Sequence, residues 1–149
     1  MYIALTFDDG YKEHLRIARY LAWRDIKATF FIIAGLKEYM GRKLLEPEDV
    51  RAIHEMGHEI GSHTVTHIDM VETDRDTMLE ELVRSKEVLE DIIHDTVVSF
   101  AYPYGPPHSD EAARLARSVY PIVRGTYLGS ARHYELFDEH GCVMAFSLR

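Results

Sequence analysis

The chain has 149 residues, 46% of them hydrophobic and 28% charged, with a formal net charge of -8. That length suits one compact domain, expected to span residues 1–149, and the acidic balance argues against nucleic acid and anionic membrane surfaces as partners. The apolar run "ATFFIIAGL" is too short to cross a bilayer, and a lone cysteine, Cys142, excludes an internal disulfide and a thiolate-built zinc site.

Along the chain, runs rich in β-branched and aromatic residues alternate with amphipathic stretches. The pattern predicts a strand at Tyr2–Phe7, a helix at Lys12–Trp23 and a strand at Ala28–Ile33. A helix at Pro47–Met56 and a strand at Glu59–Ser62 follow. The long helix at Thr73–Ile93 is the clearest, because Leu79, Leu82, Val83, Leu89 and Ile93 fall at helical spacing opposite Glu80, Glu81, Arg84 and Glu87. Thr73 is the expected N-cap, with Asp74 and Asp76 suiting the positive helix end. Strands at Val97–Ala101, Ile122–Gly125 and Cys142–Ser147 complete the set, with a helix at Asp110–Ser118 capped by Ser109. Tyr20, Leu21 and Trp23 are assigned to helix packing, and Phe30 and Phe31 to a core strand.

Strand–helix alternation predicts an α/β fold with parallel strands and right-handed crossovers. In such folds chemistry gathers where strands end. "DDG" at Asp8–Gly10, "SHTVTH" at Ser62–His67 and "YPYG" at Tyr102–Gly105 each follow a predicted strand, so three polar clusters should meet at one end of the sheet.

Nine histidines make imidazole and carboxylate the ligand types to look for. His63 and His67 stand four apart, an interval that keeps both side chains on one side of a helix or of a strand. Two imidazoles so spaced can bind one metal, and Asp8 or Asp9 could add the carboxylate. A second pair competes. "HEMGH", His54 to His58, matches the H-E-x-x-H motif of zinc peptidases, with Glu55 as general base. That mechanism needs an uninterrupted helix, whereas Gly57 stands where this helix should end.

"TFDDG", "SHTVTH" and "FAYPYG", in this order and each after a predicted strand, resemble the first three motifs of the polysaccharide deacetylases, the NodB-homology group or carbohydrate esterase family four. The resemblance covers about residues 2 to 126. It implies a distorted (β/α) barrel, here incomplete with about six parallel strands, and metal-dependent removal of N-acetyl groups from amino sugars. Carried onto this chain, it makes Asp9, His63 and His67 the metal ligands and Asp8 the general base toward the metal-bound water. Phe100, Pro103 and Tyr104 would line the substrate groove, with the backbone N–H of Tyr104 facing the oxyanion. Zinc is the default cofactor, with cobalt or nickel as substitutes.

Two positions depart from the pattern. Many members carry an arginine after the aromatic of the third motif, holding the base aspartate; here Ala101 stands there, and Arg124 in "IVRGT" is offered as the substitute. Members usually end with a leucine-x-histidine motif whose histidine protonates the leaving amine, and this sequence contains none. His108, His133, His140 and protonated Asp8 are the in-chain alternatives, and a neighbouring subunit in a homo-oligomer could supply both a strand and the acid.

The leading expectation is therefore a metal-dependent hydrolase of non-peptide C–N bonds, deacetylating an N-acetylated sugar or small amide. A metal-binding domain without turnover, a metal-dependent esterase and the H-E-x-x-H peptidase are the alternatives. Met1 runs directly into "YIALTF" without signal-peptide features, so the expected location is cytoplasmic and the expected substrate a small molecule or oligosaccharide.

Overall fold

The computed structural model describes residues 4–105, 109–127 and 143–146. In chain order the elements are β1 (Thr6–Phe7), α1 (His14–Trp23), β2 (Thr29–Ile32), β3 (Glu38–Tyr39), β4 (Arg42–Lys43) and α2 (Pro47–Glu55). They continue with β5 (Glu59–Ser62), α3 (Arg75–Ile93), β6 (Ser99–Ala101), α4 (Asp110–Val119), β7 (Ile122–Tyr127) and β8 (Val143–Phe146).

Six strands form one sheet in the order β1-β2-β5-β6-β7-β8, with every neighbouring pair parallel. Each new strand is laid beside the one before it in the sheet. That is the order of a barrel, since a doubly wound sheet reverses direction at a switch point. The sheet curls into a distorted, incomplete (β/α) barrel.

The core follows from the alternation. Phe30, Ile60, Phe100 and Val123 point from the strands onto Ala18 and Leu21 of α1, Val50 and Ile53 of α2, Leu82 and Leu89 of α3, and Leu115 and Ala116 of α4. One polar cluster is built into this apolar packing. The Tyr120 hydroxyl donates to the Leu82 carbonyl at 2.8 Å and lies 3.0 Å from Ser85 Oγ, which is itself 2.8 Å from Ser62 Oγ. Burial pushes the Tyr120 phenol up to about 12, so it remains a donor, and the cluster ties α3 and the end of α4 to β5.

Several local expectations change. The α3 N-cap is Asp74, whose Oδ1 accepts from the N–H groups of Asp76 and Thr77 at 3.1 Å; Thr73 donates instead to the Asp69 carbonyl. A carboxylate meets the helix end with full charge, which a hydroxyl does not. Ser109 caps α4 as expected, accepting from Ala112 N–H. On α3 the buried residues are Met78, Leu82, Ser85, Leu89 and Ile93, while Val83 is exposed. Trp23 and Tyr20 are not packed inside. They are 72% and 59% exposed, on the face of α1 opposite Ala18, with rings 5.8 Å apart and the Arg24 guanidinium over Trp23.

The sequence pattern missed one element, the β3–β4 hairpin. Its two-residue strands are too short to show alternation, and its turn, Met40–Gly41, has positive φ at both residues (48° and 73°) without an Asn-Gly signature. Its base is sewn to the loop after β1. Leu45 N–H donates to the Gly10 carbonyl at 2.8 Å, Lys12 N–H donates to the Lys43 carbonyl at 3.0 Å, and the Arg42 guanidinium lies 3.7 Å over the Tyr11 ring.

Candidate metal centre

β1 ends at Phe7, and the chain turns through Asp9 (φ 72°) and Gly10 (φ 77°). Two successive left-handed residues swing the Asp9 carboxylate toward the carboxyl end of β5. Gly10 suits its place doubly, because a Cβ there would also stand 3.1 Å from the Ile32 side chain. β5 ends at Ser62, and the buried His63, Thr64 (φ 65°) and His67 (φ 60°) follow. Glu81 on α3 pins this loop, accepting from the N–H groups of Val65 and Thr66 at 2.8 and 2.9 Å and from the Thr66 hydroxyl at 2.8 Å. Thr64 Oγ1 accepts from His67 N–H at 2.9 Å.

The result is a compact ligand set. His63 Nε2 lies 3.4 Å and His67 Nε2 3.3 Å from the same Asp9 oxygen, Oδ1, and the ligand atoms of all three residues lie within 4.8 Å of one another. His63 Nδ1 is 2.8 Å from the Ala101 carbonyl, which can only accept; the proton therefore sits on Nδ1 and the Nε2 lone pair points into the cluster. Burial alone would raise the Asp9 carboxyl. When the imidazoles are protonated in the metal-free chain, hydrogen bonds from His63 and His67 and their charge outweigh it, holding Asp9 well below the usual carboxylate range. Two buried imidazoles and one partly exposed carboxylate are a fitting donor set for a zinc-like divalent ion.

Asp8 stands apart from this set. Its Oδ1 accepts from Arg124 Nη2, and the Arg124 guanidinium is buried against the Phe31 ring, 4.8 Å from Cζ to centroid. Arg124 is the direct strand partner of Ala101 in the β6–β7 register. The guanidinium that the third motif lacks thus arrives from one strand over.

The aromatic residues divide. Phe100 does not line a groove. It is fully buried, stacked on Tyr120 at 5.3 Å and edge-on to Tyr102 at 5.0 Å, because residues two apart on a strand face the same side and that side is the core. Tyr102 is buried with it. Pro103 is buried in the turn, and Tyr104 (φ 62°) is 54% exposed with its ring 4.7 Å from that of His67. Tyr39, from the hairpin, flanks the same imidazole at 4.5 Å and was not singled out by sequence. Burial, the Tyr104 hydrogen bond and nearby Asp9 push the Tyr39 phenol upward, so its hydroxyl keeps its proton at neutral pH. Of the seven described non-glycine residues with positive φ, Asp9, Thr64, His67 and Tyr104 are all at this centre. Strained backbone concentrates where function holds it.

The H-E-x-x-H pair does not assemble. α2 ends at Glu55, Gly57 (φ 83°) breaks the helix, and His58 is buried beyond it. His58 Nδ1 accepts from Ala28 N–H at 3.2 Å and Nε2 donates to the Ala18 carbonyl at 2.9 Å, which leaves neither nitrogen for a metal. His54 points instead to Asp95, 3.5 Å away. The peptidase alternative is thereby removed. His108, His133 and His140 lie outside the described residues.

Fold and cluster together define the class: a curled parallel (β/α) sheet presenting two histidines and an aspartate, with a second aspartate beside them, at its carboxyl end. The chain belongs to the polysaccharide deacetylase family, whose model matches residues 1–120. It is 30% identical over 115 residues to a chitooligosaccharide deacetylase of Rhizobium leguminosarum bv. trifolii, covering 75% of this chain and 50% of that protein. It is 30% identical over 105 residues to a peptidoglycan-N-acetylglucosamine deacetylase of Bacillus cereus, covering 69% of this chain and 36% of that one. Among solved structures it is similar to the Streptococcus pyogenes deacetylase PplD in complex with acetate, with a TM-score of 0.76, 28% identity and coverage of 85% of this chain and 56% of that one. The chain thus spans half or less of the length of these two sequence relatives.

Proposed function

We propose that this chain is a metal-dependent deacetylase of N-acetylated amino sugars. The observation that carries the reading is the convergence of His63 Nε2 and His67 Nε2 on one Asp9 oxygen beside an independently held Asp8. Family membership supports it. Asp9, His63 and His67 would hold a divalent ion, and zinc suits the donor set best. Such an ion supplies an activated water and polarises the amide carbonyl.

The remaining work falls to the chain. Asp8, outside the ligand set, takes a proton from the attacking water as general base. Arg124 holds the Asp8 carboxylate in one orientation. The Tyr104 N–H faces the oxygen on which negative charge develops. Asp8, once protonated, can return the proton to the departing amine as the C–N bond breaks, a route that needs no further histidine. Pro103 sets the turn that presents Tyr104, and the exposed Tyr104 ring offers the sugar a face.

The direct test is metal content per chain by elemental mass spectrometry, on protein purified without chelator, followed by an assay for acetate released from N-acetylglucosamine and its oligomers. About one ion per chain and metal-dependent acetate release are expected. Failure to take up zinc, cobalt or nickel would sink the proposal.

Arg124 carries a separate expectation. Arg124→Ala should lower kcat by about 10²-fold, the scale for a misplaced catalytic group, with metal content unchanged. Adding Ala101→Arg, its strand partner, should restore a large part of that loss. A double variant no better than the single one would show that Arg124 acts on something other than Asp8.

A further inference from the structure

The hairpin tip and the third motif meet over the metal centre through two phenols. Tyr39 at the end of β3 and Tyr104 after β6 flank the His67 imidazole on two sides, with ring centroids at 4.5 and 4.7 Å. Their hydroxyls are 3.4 Å apart, long for an O–H···O bond, whose usual length is about 2.7–2.8 Å. The pair is positioned firmly but bonded weakly. The hairpin is anchored through Leu45, Lys12 and Arg42 to the same loop that carries Asp8 and Asp9, and Tyr104 is held in a left-handed conformation unusual for a bulky residue. Two fixed hydroxyls with an under-used hydrogen bond between them, one ring half exposed, describe a site in which a ligand hydroxyl can replace a poor contact with two good ones.

Building on the deacetylase reading, we propose that Tyr39 is a specificity residue: its hydroxyl, together with that of Tyr104, binds a ring hydroxyl of the sugar that carries the acetamido group. A substrate hydroxyl seated between the two phenols gains both, whereas an acetamide without hydroxyls gains neither and leaves their weak mutual bond as it is. The centre therefore selects polyhydroxylated acetamides, amino sugars as a class, over plain N-alkyl acetamides, because discrimination is strong where a site is built to bond a substrate hydroxyl.

The experiment compares acetate release from N-acetylglucosamine and from N-cyclohexylacetamide by zinc-loaded wild-type protein and by Tyr39→Phe, which keeps the ring against His67 and removes only the hydroxyl. Metal content is measured on both. The expected result is a loss in kcat/KM of about 3–10-fold on the sugar, expressed mainly in KM, with no change on the cyclohexyl amide. An equal loss on both substrates would mean that Tyr39 acts through His67 and overturns the assignment, as would no loss on the sugar. Absence of acetate from both substrates with the wild-type protein overturns the deacetylase reading, and the role of Tyr39 with it.

Discussion

Asp8→Asn is expected to keep about one metal ion per chain and to lose turnover by about 10²–10⁴-fold, the usual contribution of a positioned general base. The substitution is nearly isosteric. An amide oxygen can still accept from Arg124, so the loop after β1 keeps its course and Asp9 its position. What vanishes is the capacity to take a proton, since an amide is not basic near neutral pH. Elemental analysis and acetate release on the same preparation make the separation visible. Retained activity would remove Asp8 as the base, and lost metal would put Asp8 among the ligands.

His63→Ala has the opposite signature, with metal lost first and activity as a consequence. His63 supplies one of two imidazoles and is locked by its Nδ1 bond to the Ala101 carbonyl, and among the described residues the ligand group holds only Asp9 and His67 besides it. Even outer-shell partners of metal ligands cost about 10–100-fold in affinity when removed, and loss of a ligand should exceed that. A competition assay with a chromophoric chelator reads it. His54→Ala is the control: His54 faces Asp95 on the surface, and its removal should leave metal content and turnover alone. Metal lost from that variant would revive the H-E-x-x-H pair.

What could be read from the sequence was what is local. Asp8, Asp9, His63 and His67 each follow a strand within a few residues, so strand periodicity and short spacing suffice to bring them to one end of the sheet. Arg124 was offered as the cation for Asp8 and does meet it, but the sequence could not supply the geometry, because that contact depends on the β6–β7 register and on the curl of the whole sheet. Phe100 was misplaced for a simpler reason. A motif names residues without saying which face of the strand each occupies, and Phe100 shares its face with Tyr102, toward Tyr120. Tyr39 could not be seen at all, since two-residue strands carry no periodic signal.

The Asp8–Arg124 pair joins residues 116 positions apart, whereas the three ligand residues all lie within the first 67. Order of assembly follows from that difference. β1, β2 and β5 bring Asp9 to the histidines with shorter loops to close, His63 gains its orienting carbonyl from β6, and Asp8 meets its cation only through β7, at a greater loop-closure cost. If the chain is the metal-dependent deacetylase proposed above, ion capture and competence for turnover are separable, because they draw on different strands. On that reading, a molecule opened at β7 alone keeps Asp9, His63 and His67 together while Asp8 loses Arg124, so turnover should fail before metal is released.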